Sequence, residues 1–245
     1  MKLIVKNNYD EMSTAAAQFT TRIVRNNHKA AIVPAMGNTP IGTYRELAEM
    51  TNSYHFNPSG LKIFQLDGYL GLSPNDPRSL ERWLRHSVLT PWGIKEEQVT
   101  LLKENSEDPQ ALCESYTENV KMSGGFDLAI LGLGPNGHLG FNEPPSDSNL
   151  PTRVVSLTDE SIRSNAVYWG GESKVPRKGI TAGMDLLVSA RQILLLVSGE
   201  HKRGILAKTL KGPVTKEVPA SFLQQHPNTT IITDKAAYPE GRADI

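Results

Sequence analysis

Residues 128–145 read Leu-Ala-Ile-Leu-Gly-Leu-Gly-Pro-Asn-Gly-His-Leu-Gly-Phe-Asn-Glu-Pro-Pro, and this stretch carries the strongest signal for the architecture. Four apolar residues, Leu128 to Leu131, predict a buried strand. An almost wholly apolar strand is typical of the centre of a parallel sheet that is covered on both faces. The glycine-rich loop from Gly132 to Pro145 would then lie at the carboxyl end of that strand, where open α/β sheets bind their ligands.

The same alternation of short apolar runs and helical patterns continues in both directions along the chain. Further strands are predicted at Ala30–Val33, Leu61–Leu66, Gln192–Ser198 and Thr229–Thr233. Apolar residues at helical spacing predict helices that contain Met12–Ile23, Tyr44–Met50, Leu80–Val88, Leu112–Val120 and Lys202–Lys211. Thr39 and Pro40 are predicted as the N-cap and the first residue of the second helix. The alternation predicts an α/β fold, a three-layer αβα, Rossmann-like arrangement with a mostly parallel central sheet. No Pro/Gly/Ser linker divides the chain, so residues 1–245 are expected to form a single domain.

Composition excludes several classes of protein. Of 245 residues, 38% are hydrophobic, which is too many for wholesale disorder. The 26 basic and 26 acidic residues give a net charge of zero, which argues against nucleic-acid and anionic-membrane partners. Cys113 is alone, so an intrachain disulfide is excluded, and the scattered histidines form no HxH or HExxH pattern that would predict a metal site. The longest apolar run, Ile193–Val197, is far too short for a membrane span, and we expect a cytoplasmic protein.

Two other predicted strand ends carry polar residues. The turn Met36–Pro40 runs from a strand into a helix, and its unpaired N–H groups suit an anion such as phosphate, although a plain turn has the same residues. Asp67 follows an apolar strand, where a carboxyl group can move protons if burial tunes its pKa. Alternatively, Asp67 caps the following turn with Gly68.

The glycine-rich loop contains a literal GxGxxG pattern, which must be weighed as a dinucleotide site. That site needs a helix after the last glycine, and Pro144 and Pro145 exclude one. The loop instead carries His138 and Glu143, which could form an acid/base pair in which the carboxylate orients the imidazole. Lys202, near the start of a helix, either reaches an anion at the sheet edge or is surface charge.

Several motifs resemble the glucosamine-6-phosphate deaminase/isomerase family, and they occur in family order over nearly the whole chain. They are LGLGPNGHLGFNEP (131–144), GNTPIGTY (37–44), LDGYLGL (66–72), TRVVSLTDESIRSNA (152–166), LLLVSGEHK (194–202) and PASFLQQHP (219–227). The related 6-phosphogluconolactonases share the sheet, but their loop lacks the FNEP segment. Within the family, the NGHLG, GITAG and PASFLQQH segments are most similar to the galactosamine-6-phosphate isomerase branch.

The resemblance implies an aldose–ketose isomerisation of a glucosamine or galactosamine 6-phosphate with loss of the 2-amino group as ammonia. It implies no cofactor and no metal, and a small-molecule sugar phosphate as partner. By position, Asp67 would move the proton between C2 and C1, and His138, oriented by Glu143, would assist ring opening, with Asn136 in the same catalytic loop. The 6-phosphate would be held by Gly37, Asn38, Thr39 and Lys202. A homo-oligomer is left open, since some relatives are hexamers and others are monomers.

Three positions depart from the family pattern. Gly68 stands in LDG where LDE is usual, so a carboxylate beside Asp67 is missing. Asn136 replaces the usual aspartate before Gly-His, and Val167 aligns with an expected phosphate-binding arginine, for which Arg163 or Lys174 are candidate substitutes. These departures leave open a sugar-phosphate lactonase or a non-catalytic sugar-phosphate sensor.

The charged segment Leu157–Arg177 is predicted to act as a lid.

Overall fold

A computed structural model describes residues 1–73 and 75–239 of the chain. Its strands are β1 (Lys2–Lys6), β2 (Ala31–Pro34), β3 (Lys62–Phe64), β4 (Asp67–Tyr69), β5 (Val99–Thr100), β6 (Leu128–Gly132), β7 (Arg153–Ser156), β8 (Lys178–Thr181), β9 (Gln192–Val197) and β10 (Thr229–Asp234). Its α-helices are α1 (Tyr9–Asn26), α2 (Ile41–Asn52), α3 (Leu80–Leu84), α4 (Thr90–Trp92), α5 (Pro109–Met122), α6 (Asp159–Trp169), α7 (Met184–Val188) and α8 (Arg203–Lys211). A π-helical turn, Arg85–Leu89, joins α3 to α4.

A seven-stranded sheet in the order β1-β10-β9-β6-β2-β3-β5 forms the centre of the described residues. All of its strand pairs are parallel. Its side chains alternate between two hydrophobic clusters, so that Val33 packs on one face of β2 and Ile32 on the other. Both faces are therefore covered, and the predicted α/β fold with a mostly parallel central sheet is confirmed.

The strand order reverses between β2 and β6, which are neighbours in the sheet. From β2 the chain moves outward to β3 and β5, and it then returns to the other side of β2 to form β6, β9 and β10. Such a reversal leaves a crevice beyond the carboxyl ends of the two strands, since the connections after them leave in opposite directions. The β2–α2 turn (residues 36–40) and the glycine-rich loop (residues 132–145) both start at this crevice.

A second sheet, in the antiparallel order β4-β8-β7, was not predicted from the sequence. The strand expected over Leu61–Leu66 is shorter, and after β3 the chain changes partners: the Gln65 N–H donates to Thr100, whereas the Leu66 carbonyl accepts from Ala182. Asp67 consequently opens β4 opposite Thr181 rather than capping a turn with Gly68. The turn-cap interpretation of Asp67 is therefore wrong.

The predicted starts of two helices and the predicted conformation of the glycine-rich loop agree with the structure to different extents. The predicted helix starting with Thr39 as N-cap is wrong in its first turn, because Pro40 is the cap residue, no side chain caps it, and α2 begins at Ile41. The helix expected from Lys202 begins one residue later, after a 3-10 turn over Glu200–Lys202. The glycine-rich loop opens no helix, as the two prolines predicted, so its GxGxxG pattern lacks the helix on which a dinucleotide fingerprint depends.

Among the described residues, no helix combines the length and the apolar character that crossing a membrane requires.

Candidate active site

A cavity of about 700 Å³ lies in the crevice at the carboxyl ends of β2 and β6. The β2–α2 turn, the glycine-rich loop, the start of β4, helix α6 and the segment before α8 contribute to its wall. The polar and charged wall residues are Asn38, Thr39, Asp67, Tyr69, Arg78, Ser79, His138, Ser164, Asn165, Tyr168, His201 and Lys202. Of the eight predicted site residues, only Asn136 and Glu143 do not line this cavity.

The β2–α2 turn presents backbone to the cavity. Gly37 has a φ of +100°, a left-handed conformation that an L side chain rarely adopts. The N–H groups of Asn38 and Thr39 donate no hydrogen bond to another described residue. Tyr9 on α1 holds the turn in place, since its hydroxyl donates to the Asn38 carbonyl at 3.1 Å and accepts from the Gly42 N–H at 2.8 Å. Free N–H groups before a helix are suited to an anion.

Lys202 supplies positive charge to the same cavity. Burial lowers the pKa of its ammonium group below the ordinary value, because a desolvated cation without a bound anion is unfavourable. His201 lies beside it in the wall. An incoming phosphate would therefore meet an ammonium group as well as the turn, which favours the anion interpretation of Lys202 over plain surface charge.

Asp67 is a buried carboxyl group, only 6% exposed. Burial, and to a smaller extent the nearby Glu104 carboxyl group, together raise its pKa to about 7. A carboxyl group with a pKa near neutrality can both take up and release a proton at physiological pH. A residue that moves a proton between two carbon atoms requires this property.

His138 lies on the glycine-rich loop, and its ring packs directly over Gly134, where any Cβ would overlap it. Burial lowers the pKa of the imidazole below its usual value, and Lys202 adds to this effect, while Glu143 opposes it. The imidazole is therefore neutral at physiological pH. It is poised to accept a proton on one nitrogen and to donate from the other.

Glu143 is placed differently from the predicted pairing. Its Oε1 lies 3.9 Å from His138 Nδ1, which is too long for a hydrogen bond, and Nδ1 has no other partner among the described residues. The carboxylate instead accepts from the N–H and the hydroxyl of Thr158, both at 2.7 Å, and from the Ser161 hydroxyl. Glu143 thus ties the glycine-rich loop to the N-terminus of α6, where a negative charge is favourable.

Asn136 does not face the cavity either. Its side-chain oxygen accepts from the His138 N–H at 3.3 Å, so that the residue shapes the turn that leads into His138. This is an ordinary role for asparagine in a loop. Asn136 therefore lies behind the residues that line the cavity, and its part in catalysis stays a prediction.

Sequence reasoning placed the segment that contains α6 at the site, but it missed the wall formed by the segment before α3. Val167 is 78% exposed and lies outside the cavity wall, and neither Arg163 nor Lys174 lines the cavity in its place. The cation on this side is Arg78, whose guanidinium lies 4.5 Å from the centre of the Trp169 ring and is paired with Asp76 at 2.7 Å. No sequence pattern predicts that Arg78 lines the cavity, because its position there depends on the fold.

Tyr168 connects α6 to the opposite wall. Its hydroxyl accepts a hydrogen bond from the Asn38 side chain at 2.8 Å. Tyr168 is itself more than half exposed. Because water can reach its hydroxyl group, the hydrogen bond to Asn38 across the cavity mouth is easily broken. This arrangement fits the predicted lid at Leu157–Arg177.

In the described part of the chain, no three His, Cys, Asp or Glu side chains are grouped so that they could hold a metal ion. The site's own groups are a turn with free N–H groups beside an ammonium group, a carboxyl group with a near-neutral pKa, and a neutral imidazole. Such a set can bind a phosphorylated molecule and move protons on it.

Residues 6–232 match a family model described as glucosamine-6-phosphate isomerases/6-phosphogluconolactonase. The chain belongs to this family. A glucosamine-6-phosphate deaminase of Thermoanaerobacter pseudethanolicus is 39% identical over 237 residues, which cover 97% of this chain and 94% of that protein. The resemblance drawn from the sequence motifs is therefore confirmed.

Solved structures of the glucosamine-6-phosphate isomerase/6-phosphogluconolactonase family show the same fold. A monomeric glucosamine-6-phosphate deaminase superimposes with a TM-score of 0.94 at 33% identity, covering 97% of this chain and 98% of that one. A 6-phosphogluconolactonase from Trypanosoma cruzi gives a TM-score of 0.77 at 20% identity, covering 96% and 95% of the two chains. At that identity, the lactonase likeness concerns the fold alone.

Proposed function

We propose that this chain is an amino-sugar 6-phosphate isomerase/deaminase, which converts glucosamine 6-phosphate or galactosamine 6-phosphate and water to the ketohexose 6-phosphate and ammonia. The observation that carries the proposal is the convergence of Asp67 and His138 on the cavity that also contains the free N–H groups of the β2–α2 turn. The deaminase names of the relatives, among them the one from Thermoanaerobacter, support the same reaction.

The 6-phosphate binds at one end of the cavity. Gly37, Asn38 and Thr39 donate backbone N–H groups to it, and Lys202 supplies a positive charge. The sugar then extends towards β4 and the glycine-rich loop. Binding energy at the phosphate end orients the reacting carbons, which is how remote contacts contribute to catalysis.

Ring opening comes first, because the C2 proton is acidified only by a free C1 carbonyl. The neutral imidazole of His138 moves a proton between the C1 hydroxyl and the ring oxygen. Asp67, as carboxylate, then takes the proton from C2 and returns it to C1, while a proton passes from the amino group to the C1 oxygen, so that C1 becomes a hydroxymethyl carbon and C2 carries a C=N bond. Water adds to that carbon, and the amino group leaves as ammonia. Each step is a proton transfer or an addition of water, so that acid/base groups suffice.

Glu143 and Asn136 act behind the groups that touch the sugar. Glu143 holds the glycine-rich loop against α6 and places a negative charge near the imidazole, which favours the imidazolium that forms when His138 accepts a proton. Asn136 maintains the turn before His138. Neither residue contacts the substrate in this proposal.

One incubation distinguishes the candidate functions. Purified protein is supplied with glucosamine 6-phosphate, galactosamine 6-phosphate and 6-phosphogluconolactone, and ammonia and acid release are measured. The proposal expects ammonia from at least one hexosamine 6-phosphate, and the preferred one assigns the sugar configuration. Acid from the lactone alone would favour a lactonase, and thermal stabilisation by a sugar phosphate without turnover would favour a sensor. Both of these results would contradict the proposal.

The remaining sequence-based expectations belong with this proposal. A cytoplasmic location, catalysis without a cofactor or metal, and the absence of nucleic-acid and membrane partners stay predictions.

A further inference from the structure

A second buried carboxyl group lies against the strand that carries Asp67. Glu104, in the loop after β5, is only 3% exposed. A Cβ built on Gly68 would lie 2.8 Å from Glu104 Cγ and 3.3 Å from Glu104 Cδ. Distances this short mean that the side chain of Glu104 fills the space into which a side chain at position 68 would extend. Gly68 does not have a left-handed conformation, so that the obstacle to a larger residue is its neighbours: Glu104 most closely, and then Gln65, whose Nε2 would lie 3.2 Å from the Cβ.

The fold holds Glu104 in place through both its backbone and its side chain. The Glu104 carbonyl accepts from the Gly71 N–H at 2.8 Å, which attaches the loop to the end of β4. Oε1 accepts from the Glu81 N–H at 2.9 Å and from the Ser79 hydroxyl at 3.3 Å. Oε2 is buried and has no hydrogen-bond partner among the described residues. A negative charge beside an unpartnered buried oxygen is unfavourable, so burial raises the pKa of the Glu104 carboxyl group.

The titratable surroundings of the two carboxyl groups are acidic or phenolic. Glu81 on α3 faces Glu104. The Glu81 carboxylate forms a salt bridge with Arg85, in which Oε1 lies 3.0 Å from the Arg85 Nε. Tyr69 on β4 and Tyr116 on α5 lie near Asp67. In the described residues, no Lys, Arg or His side chain forms a salt bridge with Asp67 or Glu104. Burial is the main cause that raises the pKa of each carboxyl group to about 7, and the neighbouring Glu104 charge adds to the effect at Asp67.

We propose that Glu104 is a positioning residue for Asp67: its carboxyl group, entering from the loop after β5, occupies the place of the side chain that Gly68 lacks and sets how readily Asp67 exchanges its proton. The inference rests on the proposed function, in which Asp67 moves the proton between C2 and C1. It also accounts for the LDG motif, since the acidic group absent from position 68 is supplied from elsewhere in the chain.

The first test measures Asp67 itself. The Asp67 carboxyl carbon is followed by NMR in protein labelled with 13C at aspartate, over a pH titration without substrate, in the wild type, in Glu104→Gln and in Glu107→Gln. Glu107 is exposed in the same loop and provides a matched control. In Glu104→Gln the Asp67 midpoint should fall by about one pH unit, the effect of removing one neighbouring like charge. Glu107→Gln should leave it unchanged. An Asp67 midpoint that is the same in Glu104→Gln and wild type would overturn the inference.

The same variants separate this inference from the proposed function. If the wild type releases ammonia, the acid limb of its kcat/KM profile should move to lower pH in Glu104→Gln, by the same amount as the NMR midpoint. A wild type that releases no ammonia refutes the function, whereas an unmoved midpoint refutes the role of Glu104. A merely structural Glu104 would lower activity evenly at every pH, and this result would also contradict the inference.

A second test examines the shared space and needs no activity. Gly68→Glu should lower the melting temperature by several degrees in the wild-type background, because the new side chain overlaps Glu104. The same substitution should cost much less in a Glu104→Ala background, where the closer of the two neighbours of the new side chain is removed and only Gln65 remains near it. Equal losses in the two backgrounds would show that positions 68 and 104 do not compete for one space, and would overturn that part of the inference.

Discussion

Replacing Asp67 by asparagine should stabilise the protein, and only at neutral and alkaline pH. Burial raises the pKa of Asp67 from 3.8 to about 7, which means that the folded protein opposes its ionisation. Below about pH 4 the carboxyl group is protonated in both the folded and unfolded states, and its ionisation costs nothing. The cost grows between pH 4 and 7 and is complete above pH 7. Asparagine has nearly the same volume and no charge, so it removes this cost.

The magnitude follows from the size of the pKa difference. About three pH units at 1.36 kcal/mol each give an upper bound of about 4 kcal/mol, which is shared with the neighbouring Glu104. For a protein of this length, about 1 kcal/mol corresponds to a change in Tm of roughly 2–4 °C. The expected increase is therefore about 5–10 °C at pH 8.5, and it should shrink to nothing towards pH 4.

Thermal unfolding from pH 4 to pH 9 measures this difference directly. Asp147→Asn provides the control, since Asp147 is exposed and should show no such pH dependence. The new amide must also find hydrogen-bond partners, which shifts the curve equally at every pH, so the slope with pH is the decisive quantity. A Tm difference between Asp67→Asn and wild type that is constant across this range would refute the reasoning.

Other predictions concern activity and the lid. If Asp67 acts as a base, kcat/KM should rise with pH and level off above about pH 7, because the carboxyl group must first lose its proton; a profile flat from pH 5 to 8 would contradict this. His138→Gln should slow turnover of the ring form, and a substrate analogue locked in the open chain should recover part of the loss; an equal loss with both would exclude a ring-opening role. Glu143→Gln should loosen residues 157–177 by about 1–3 kcal/mol, seen as faster hydrogen exchange, since it weakens the contacts with Thr158 and Ser161. Saturating sugar phosphate should slow exchange in the same segment of the wild type, and unchanged exchange would count against a lid.

The parallel sheet could be predicted because its signal is local. Strands such as β6 and β9 are buried on both faces and read as continuous apolar runs, and the helices between them keep an apolar face. β4, β7 and β8 are short and belong to a small antiparallel sheet whose pairing is set by distant contacts. Periodicity over three or four residues cannot specify such partners, and the sheet was missed. The extent of the single domain, residues 1–245, stays a prediction, since residues 240–245 lie outside the described part.

At the site, the sequence indicated the residues that follow the main strands. Gly37, Asp67 and His138 each come just after an apolar run, and the fold brings them to one cavity. Arg78 and Glu104 were missed because they arrive from irregular segments, where no pattern fixes the direction of a side chain. The pairing of His138 with Glu143 was predicted from their closeness in sequence. The structure shows instead that α6 takes the hydrogen bonds of the carboxylate.

The central claim is that Asp67 carries the proton between C2 and C1 of an amino-sugar 6-phosphate. The most direct measurement follows exchange of the substrate's C2 proton with deuterated solvent by NMR, in wild type and in Asp67→Asn at equal substrate saturation. The wild type should exchange this proton, and the variant should bind the substrate but exchange it roughly 10²–10⁴ times more slowly, the usual contribution of a positioned general base. An Asp67→Asn protein that exchanges the C2 proton at the wild-type rate would contradict the account.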